Sequence, residues 1–435
     1  MDNKFSANIT TSFKRFFPYL GQHLKDPLYR NSYFLMANTA VTSALGFAFW
    51  IVVARFYNDA DVGLGSTIIT CMGLLVTLSS LGFDIAFIRF LNKSEKPAEL
   101  INSGLTITGT TSLLIALAFV IGVDLWSPAL GFIKDNPLFA AAFIVFTLFL
   151  TLSSMLDSIF IAKRRAGFVL SKNTAISILK ITLPFIFVLF FRAFGIISSL
   201  GTATSIVVII FLFFFLPRVH SAYRLRVKIN LHIVREVWRY SAGNYLANIF
   251  SAAATFILLN FIINRLSAEE AAYFYVAWMI TGLLFIIPGA ISQSLFAEGS
   301  HFEDKLDANV RRSYKFTFML LIPAIIVLLF AGKWLLLAFG AGYSENGVAL
   351  LRFLALSGIF IGVNSVYYTI LRVKGKIAEL VALYGFSTCA ILIGSYIIIQ
   401  ITGIIGVGYV WLSVQGIVSI YVVARLITRY KQRAK

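Results

Sequence analysis

The length of its uninterrupted apolar runs constrains this chain most. Phe185-Ile186-Phe187-Val188-Leu189-Phe190-Phe191 and the stretch from Ile206 to Leu216 contain no polar side chain. Strands of a membrane barrel would alternate polar and apolar residues, so these runs read as helices. About 20 such residues carry a helix across the hydrocarbon core. The composition agrees. The chain is 59% hydrophobic and 13% charged, whereas a soluble domain is about 45–50% apolar and about 25% charged. A soluble enzyme and a disordered chain are both excluded on these numbers. The expected class is an all-α integral membrane protein.

Twelve spans are expected, at 33–56, 62–88, 100–123, 138–161, 168–191, 195–217, 242–264, 271–296, 315–338, 347–371, 376–399 and 404–427. Breakers such as Ser127-Pro128, Asp135-Asn136-Pro137 and Gly340-Ala341-Gly342 mark connections. Pro184, Pro288 and Pro323 fall inside spans, where each removes a backbone hydrogen bond and is expected to kink its helix. Of 37 Lys and Arg, 30 fall on one side if the spans alternate, five on the other, and Lys180 and Arg352 lie within spans. This bias places both termini of a multi-pass membrane protein in the cytoplasm. The net charge of +18 is then a topology signal with a secondary affinity for anionic membrane lipid; no nucleic-acid partner is expected.

The longest linker, 218–241, divides the chain into a cytoplasmic arm (1–32), six spans (33–217), the linker, six further spans (242–427) and a basic tail (428–435). The two groups look related. Met36-Ala37-Asn38 aligns with Leu246-Ala247-Asn248 and Arg55 with Arg265 at an offset of 210; Lys163 aligns with Lys374 at 211. Each group has an even number of spans, so both enter from the same side. They form parallel repeats, two six-helix lobes around a central cavity, and transporters bind substrates at such interfaces.

Lys180 lies about 11 residues from either end of span five, roughly 16 Å of depth each way. A cation there costs at least about 2.5–3.5 kcal/mol, so it requires a partner or a wet cavity. One reading pairs it with Asp84 or Asp157. The other makes it a cavity cation for an anionic substrate group. Arg352, about a turn into span ten, reads either as an interfacial anchor or as a second cavity cation. Arg55 and Arg265 stand at equivalent span ends. They serve as anchors beside Asp59/Asp61 and Glu269/Glu270, or as a cationic ring at the outer mouth. Asn38 and Asn248, with Asn364 and Gln415 in the same class, fit helix packing or sugar hydroxyls. Asp84 and Asp157 neutralise a base or carry a coupling ion. Cys71 and Cys389 lie in apolar runs and form no metal pattern. No Walker lysine, HExxH or GxSxG motif occurs. No cofactor, metal site or catalytic residue is expected, and the chain does not read as an enzyme.

One segment carries a resemblance. Ala54-Arg55-Phe56-Tyr57-Asn58-Asp59-Ala60-Asp61-Val62-Gly63-Leu64-Gly65, followed by Leu78-Ser79-Ser80-Leu81-Gly82-Phe83-Asp84-Ile85-Ala86-Phe87-Ile88-Arg89-Phe90, resembles the first helical hairpin of polysaccharide flippases of the O-antigen type. These belong to the multidrug/oligosaccharidyl-lipid/polysaccharide exporter superfamily. The resemblance implies that the chain passes a polyprenyl-diphosphate-linked oligosaccharide across the plasma membrane by alternating access, beside other polysaccharide assembly proteins. Lys180 and Arg352 would then contact diphosphate or acidic sugar. A cation-coupled drug exporter of the same superfamily is the near alternative. A membrane glycosyltransferase, polymerase or ligase is the remote one.

Overall fold

The apolar runs fold into helices, and no strand occurs among the described residues. The structure is a computed structural model describing residues 27–219, 223–230, 245–246, 249–250, 253–301 and 306–433. Asn248, most of the N-terminal arm and much of the linker lie outside the described residues. The face carrying Arg30, Arg89, Lys163 to Arg165 and Lys374 is called here the basic face.

Helix α1 (Pro27–Phe56) crosses from the basic face to the opposite one. Asn58 then caps α2 (Asp59–Ser80), its side chain accepting from the Asp61 backbone N–H at 2.7 Å. Span two is not continuous as expected. Leu81 (φ 48°) and Gly82 (φ 80°) adopt left-handed backbone and start a separate helix, α3 (Phe83–Phe90), with Asp84 in its first turn. Glycine takes this conformation without penalty, whereas Leu81 is strained in it.

Helices α4 (Pro97–Ile121) and α5 (Pro137–Ala162) each begin with proline in the first turn, where its missing N–H costs no helical bond. Pro184 behaves the same way. Instead of kinking the middle of span five, it opens α7 (Pro184–Ile210) directly after α6 (Ala166–Thr182). The turn into span six comes later, at Arg192 (φ 44°, ψ −132°). Residues 223–230 then lie along the start of α4: Lys228 pairs with Glu99 at 3.0 Å, and Asn102 bonds the backbone of Arg224 and Arg226.

The second half comprises α8 (Ala253–Arg265), α9 (Ala268–His301), α10 (Leu306–Leu337), α11 (Ala341–Val373) and α12 (Ile377–Arg433). Pro288 and Pro323 lie inside α9 and α10, as expected. Helix α12 is a hairpin. It reverses at Gly403 (φ 62°, ψ −151°), so Gly394 meets Val410 and Tyr421 reaches Glu379 at 3.2 Å. Among the described residues, ten helices are long and apolar enough to span a membrane. With α12 counted as two passes and α8 as one, the chain crosses twelve times.

The buried side chains show how the halves meet. At the opposite face one cluster draws on both halves, including Phe49, Val62, Phe143, Phe274, Phe339 and Leu354. At the basic face the clusters separate: Phe83, Phe87, Leu156 and Val208 in the first half, Tyr367, Leu371 and Val422 in the second. The shared seam is α2 against α9. A Cβ on Gly63 would lie 1.7 Å from the Ala268 carbonyl oxygen, so only glycine permits this approach. The offset of 210 makes α2 and α9 equivalent. Equivalent helices meeting along one seam is what an axis along the membrane normal requires.

Candidate functional site

Charge inside the first half is organised by the α5–α6 hairpin. Asp157 lies five residues before the end of α5 and Lys172 six after the start of α6, so the two meet across it. Lys172 is fully buried; its Nζ lies 3.1 Å from Asp157 and donates to the Ser153 carbonyl at 3.0 Å. The Asn173 amide donates to Asp157 at 3.3 Å and to the Asn38 side-chain oxygen at 3.2 Å, which brings in α1. Asn38 therefore serves helix packing here, and Asp157 neutralises a base. That base is not Lys180 but Lys172, a residue that counting basic charge along the sequence assigns to the basic face.

Lys180 has no ion-pair partner among the described residues. Its ammonium lies 5.1 Å from the centroid of the Phe49 ring of α1, a cation–π contact that lowers the cost of burial without neutralising the charge. The expected pairing with Asp84 or Asp157 does not form. Asp84 sits at the start of α3, with Oδ1 buried and without a hydrogen bond.

The remaining arginines are placed by backbone carbonyls and rings. Arg55 donates from Nε to the Ala338 carbonyl and from Nη2 to the Leu337 carbonyl, both at 2.9 Å. It thus caps the C-terminal end of α10 in the other half. Arg265 lies 3.8 Å over the Tyr396 ring and donates to its hydroxyl. Neither arginine pairs with the acids named for it. Arg352 is exposed and donates to the Leu329 carbonyl at 3.3 Å. It stands eleven residues into α11, about 16 Å along the axis, deeper than the expected single turn. The reason is that Ala341 and Gly342 belong to the helix, leaving Ala338, Phe339 and Gly340 as the connection.

At the opposite face the seam is latched. The Tyr273 hydroxyl donates to Asp59 at 2.9 Å, Trp50 packs on Tyr275 at 4.6 Å, and Phe47 meets Phe339 edge-on at 5.1 Å. Asn260 and Asn264 of α8 bond the 126–129 connection. At the basic face, a cleft of about 430 Å³ opens beside Arg30, Arg164, Arg165 and Phe34, and none of these arginines is ion-paired among the described residues. Its arginines give this cleft of the first half a positive lining that suits an anionic group.

Residues 28–297 match the family described as "Polysaccharide biosynthesis protein". A Shigella flexneri protein provisionally named an O-antigen transporter is 24% identical over 186 residues, covering 42% of this chain and 44% of that one. The chain thus matches less than half the length of this curated relative. The fold is similar to that of a multidrug resistance MATE family transporter of the MOP superfamily in an inward-facing conformation (TM-score 0.71, 17% identity, 92% of this chain and 98% of the other). It is also similar to the lipid II flippase MurJ in an inward closed conformation (TM-score 0.72, 14% identity, 90% and 87%).

Proposed function

Because the chain belongs to the polysaccharide biosynthesis protein family, with 28–297 matching it, we propose that it flips a polyprenyl-diphosphate-linked oligosaccharide across the plasma membrane by alternating access. The observation that carries this reading is an intramembrane cation, Lys180, without a counter-ion among the described residues, in a molecule whose halves share one buried apolar cluster toward one face and hold separate clusters toward the other. The headgroup is polar and anionic, while its lipid tail can remain in the bilayer. Lys180 and Arg352 meet the diphosphate or an acidic sugar. The ion pair Lys172–Asp157 contributes no net charge. Among the described residues, this leaves Lys180 and Asp84 as the unpaired charges inside the spans of the first half, with Lys180 on the side away from the basic face. The Lys180 ammonium favours anionic cargo over the cationic cargo of a drug exporter.

In the same reading the basic face is cytoplasmic, by the positive-inside bias, and both termini lie there. The lobes run over 33–217 and 242–427, and other polysaccharide assembly proteins receive the flipped unit. The test is reconstitution in vesicles. Lipid-linked sugar is expected to cross and cationic dyes are not, and both Lys180→Ala and Lys180→Glu are expected to lower flipping at least about tenfold, one removed charge-assisted contact in the transport path. Dye export with no sugar flipping would overturn the reading, and unchanged flipping in both variants would remove Lys180 from the site.

A further inference from the structure

The repeat offset leads from the ion pair of the first half to a cavity in the second. At the offset of 211 that aligns Lys163 with Lys374, Ser153 corresponds to Asn364, Asp157 to Tyr368 and Asn173 to Tyr384. The correspondence holds in space. Asp157 and Asn173 meet between α5 and α6, and the rings of Tyr368 and Tyr384 meet at 4.7 Å between α11 and α12. In the first half Lys172 fills this station. Its counterpart is Leu383, which brings no ammonium, and a cavity of about 280 Å³ remains open.

Among the described residues, none that lines this cavity is charged. Trp278, Trp411, Tyr368 and Tyr384 supply ring surface, and Asn364 and Gln415 supply amides, with serine and threonine hydroxyls between them. The amides are held in place. Asn364 donates to the Gln415 side-chain oxygen at 3.0 Å and accepts from Ser419 at 2.9 Å. This leaves the Gln415 amide nitrogen with no acceptor among the described residues. Trp411, edge-on to Trp278 at 4.6 Å, has a buried indole N–H that is also without one. Native proteins rarely leave such donors unmet, and each asks for an explanation. Asn364 stands ten residues from Lys374, about 15 Å from the basic end of α11, at the depth where transporters of repeated architecture bind cargo.

The geometry points to a subsite for a neutral sugar ring, the part of the cargo that Lys180 and Arg352 do not address. A pyranose has apolar C–H faces and a rim of hydroxyls. The tyrosine and tryptophan rings cover the former; the indole N–H and the amides bond the latter. A cation could rest on these rings but accepts nothing from the indole and amide N–H groups, and a phosphate would require bases, which the described lining lacks. Its volume is near the lower end of ligand cavities, about 300–1,000 Å³, so it takes one ring rather than the whole repeat unit. The inference rests on the flippase reading.

The test uses the purified full chain in lipid nanodiscs and two probes: polyprenyl diphosphate, and the same lipid carrying one N-acetylglucosamine. The wild type is expected to bind the sugar-bearing lipid about five- to tenfold more tightly, two or so hydrogen bonds and a ring contact. Trp411→Phe, which keeps a ring and loses the N–H, and Gln415→Leu are expected to erase that preference and leave affinity for the bare lipid unchanged. Lys180→Ala is expected to weaken both probes equally. Phe386→Leu, on the exposed side of α12 and outside the cavity, serves as the control that keeps the preference. If the wild type binds neither lipid, the flippase reading itself fails. If the wild type binds both equally, or prefers the sugar while Trp411→Phe and Gln415→Leu keep that preference, the subsite fails and the reading stands.

Discussion

Lys172 and Lys180 lie on one helix, eight residues apart, and the protein uses them oppositely. Lys172 is closed into an ion pair with Asp157; Lys180 keeps its charge available against a phenylalanine ring. Removing one partner of a buried pair leaves the other uncompensated, at a cost of about 3–5 kcal/mol, while replacing both with apolar groups can be nearly neutral. Lys172→Met is therefore expected to lower the thermal unfolding midpoint sharply, and Lys172→Met with Asp157→Leu to recover most of it. An unchanged midpoint in the single variant would show the pair to be dispensable. That Lys180 lies within a span was legible from the sequence; its level was not, because the span runs over Ala166–Phe187 and puts Lys180 fourteen residues from the basic end and seven from the other. Nor was the partner of Asp157, because Lys172 falls near the edge of a span and looks like one more basic-face charge. Hairpin register, with both residues nearly equidistant from Arg164, is the signal that would have found it.

At the scale of elements, the apolar runs located the helices well, since burial in lipid requires length and little else. What the runs could not show was where backbone departs from helix inside them. The Leu81-Gly82 break and the reversal at Arg192 depend on left-handed conformations that hydropathy does not encode. The α2–α9 seam was equally hidden, because Gly63 looks like any small residue until Ala268 is seen against it. A side chain there must push the helices apart. Gly63→Val is expected to keep the opposite face from closing while leaving expression intact, since no packed core of a single half is touched. Cysteines placed at Asp59 and Tyr273 test this: disulfide formation between them should fall several-fold in the Gly63→Val background. Undiminished cross-linking would mean that the seam tolerates the extra methyl groups by another route.

For the whole molecule, a two-state transporter requires that closure at one face be stable yet reversible. The latch at the opposite face joins a broad apolar contact to several polar bonds that bridge the halves: Tyr273 to Asp59, Arg55 to the α10 carbonyls, and Asn260 and Asn264 to the 126–129 connection. The apolar contact is non-directional and sets how far the halves approach; the polar bonds set how long they stay. A hydrogen bond contributes about 1 kcal/mol net, so losing one shifts a two-state population roughly fivefold. Tyr273→Phe is expected to raise the open fraction by about that factor and Arg55→Ala, which loses two bonds, by about its square, and jointly by their product if the bonds act independently. Val276→Cys, fully buried on α9 in the closed seam, reports it: a membrane-impermeant thiol reagent added at the opposite face should label it faster in each variant, after Cys389 has been changed to serine. Labelling at the wild-type rate in the double variant would place the latch in the apolar contact and the Asn260 and Asn264 bonds. The same variants give a transport consequence. Cargo loading from the basic face competes with opening at the other, so a weakened latch is expected to lower apparent affinity for lipid-linked sugar added at the basic face, in proportion to the lost closed population.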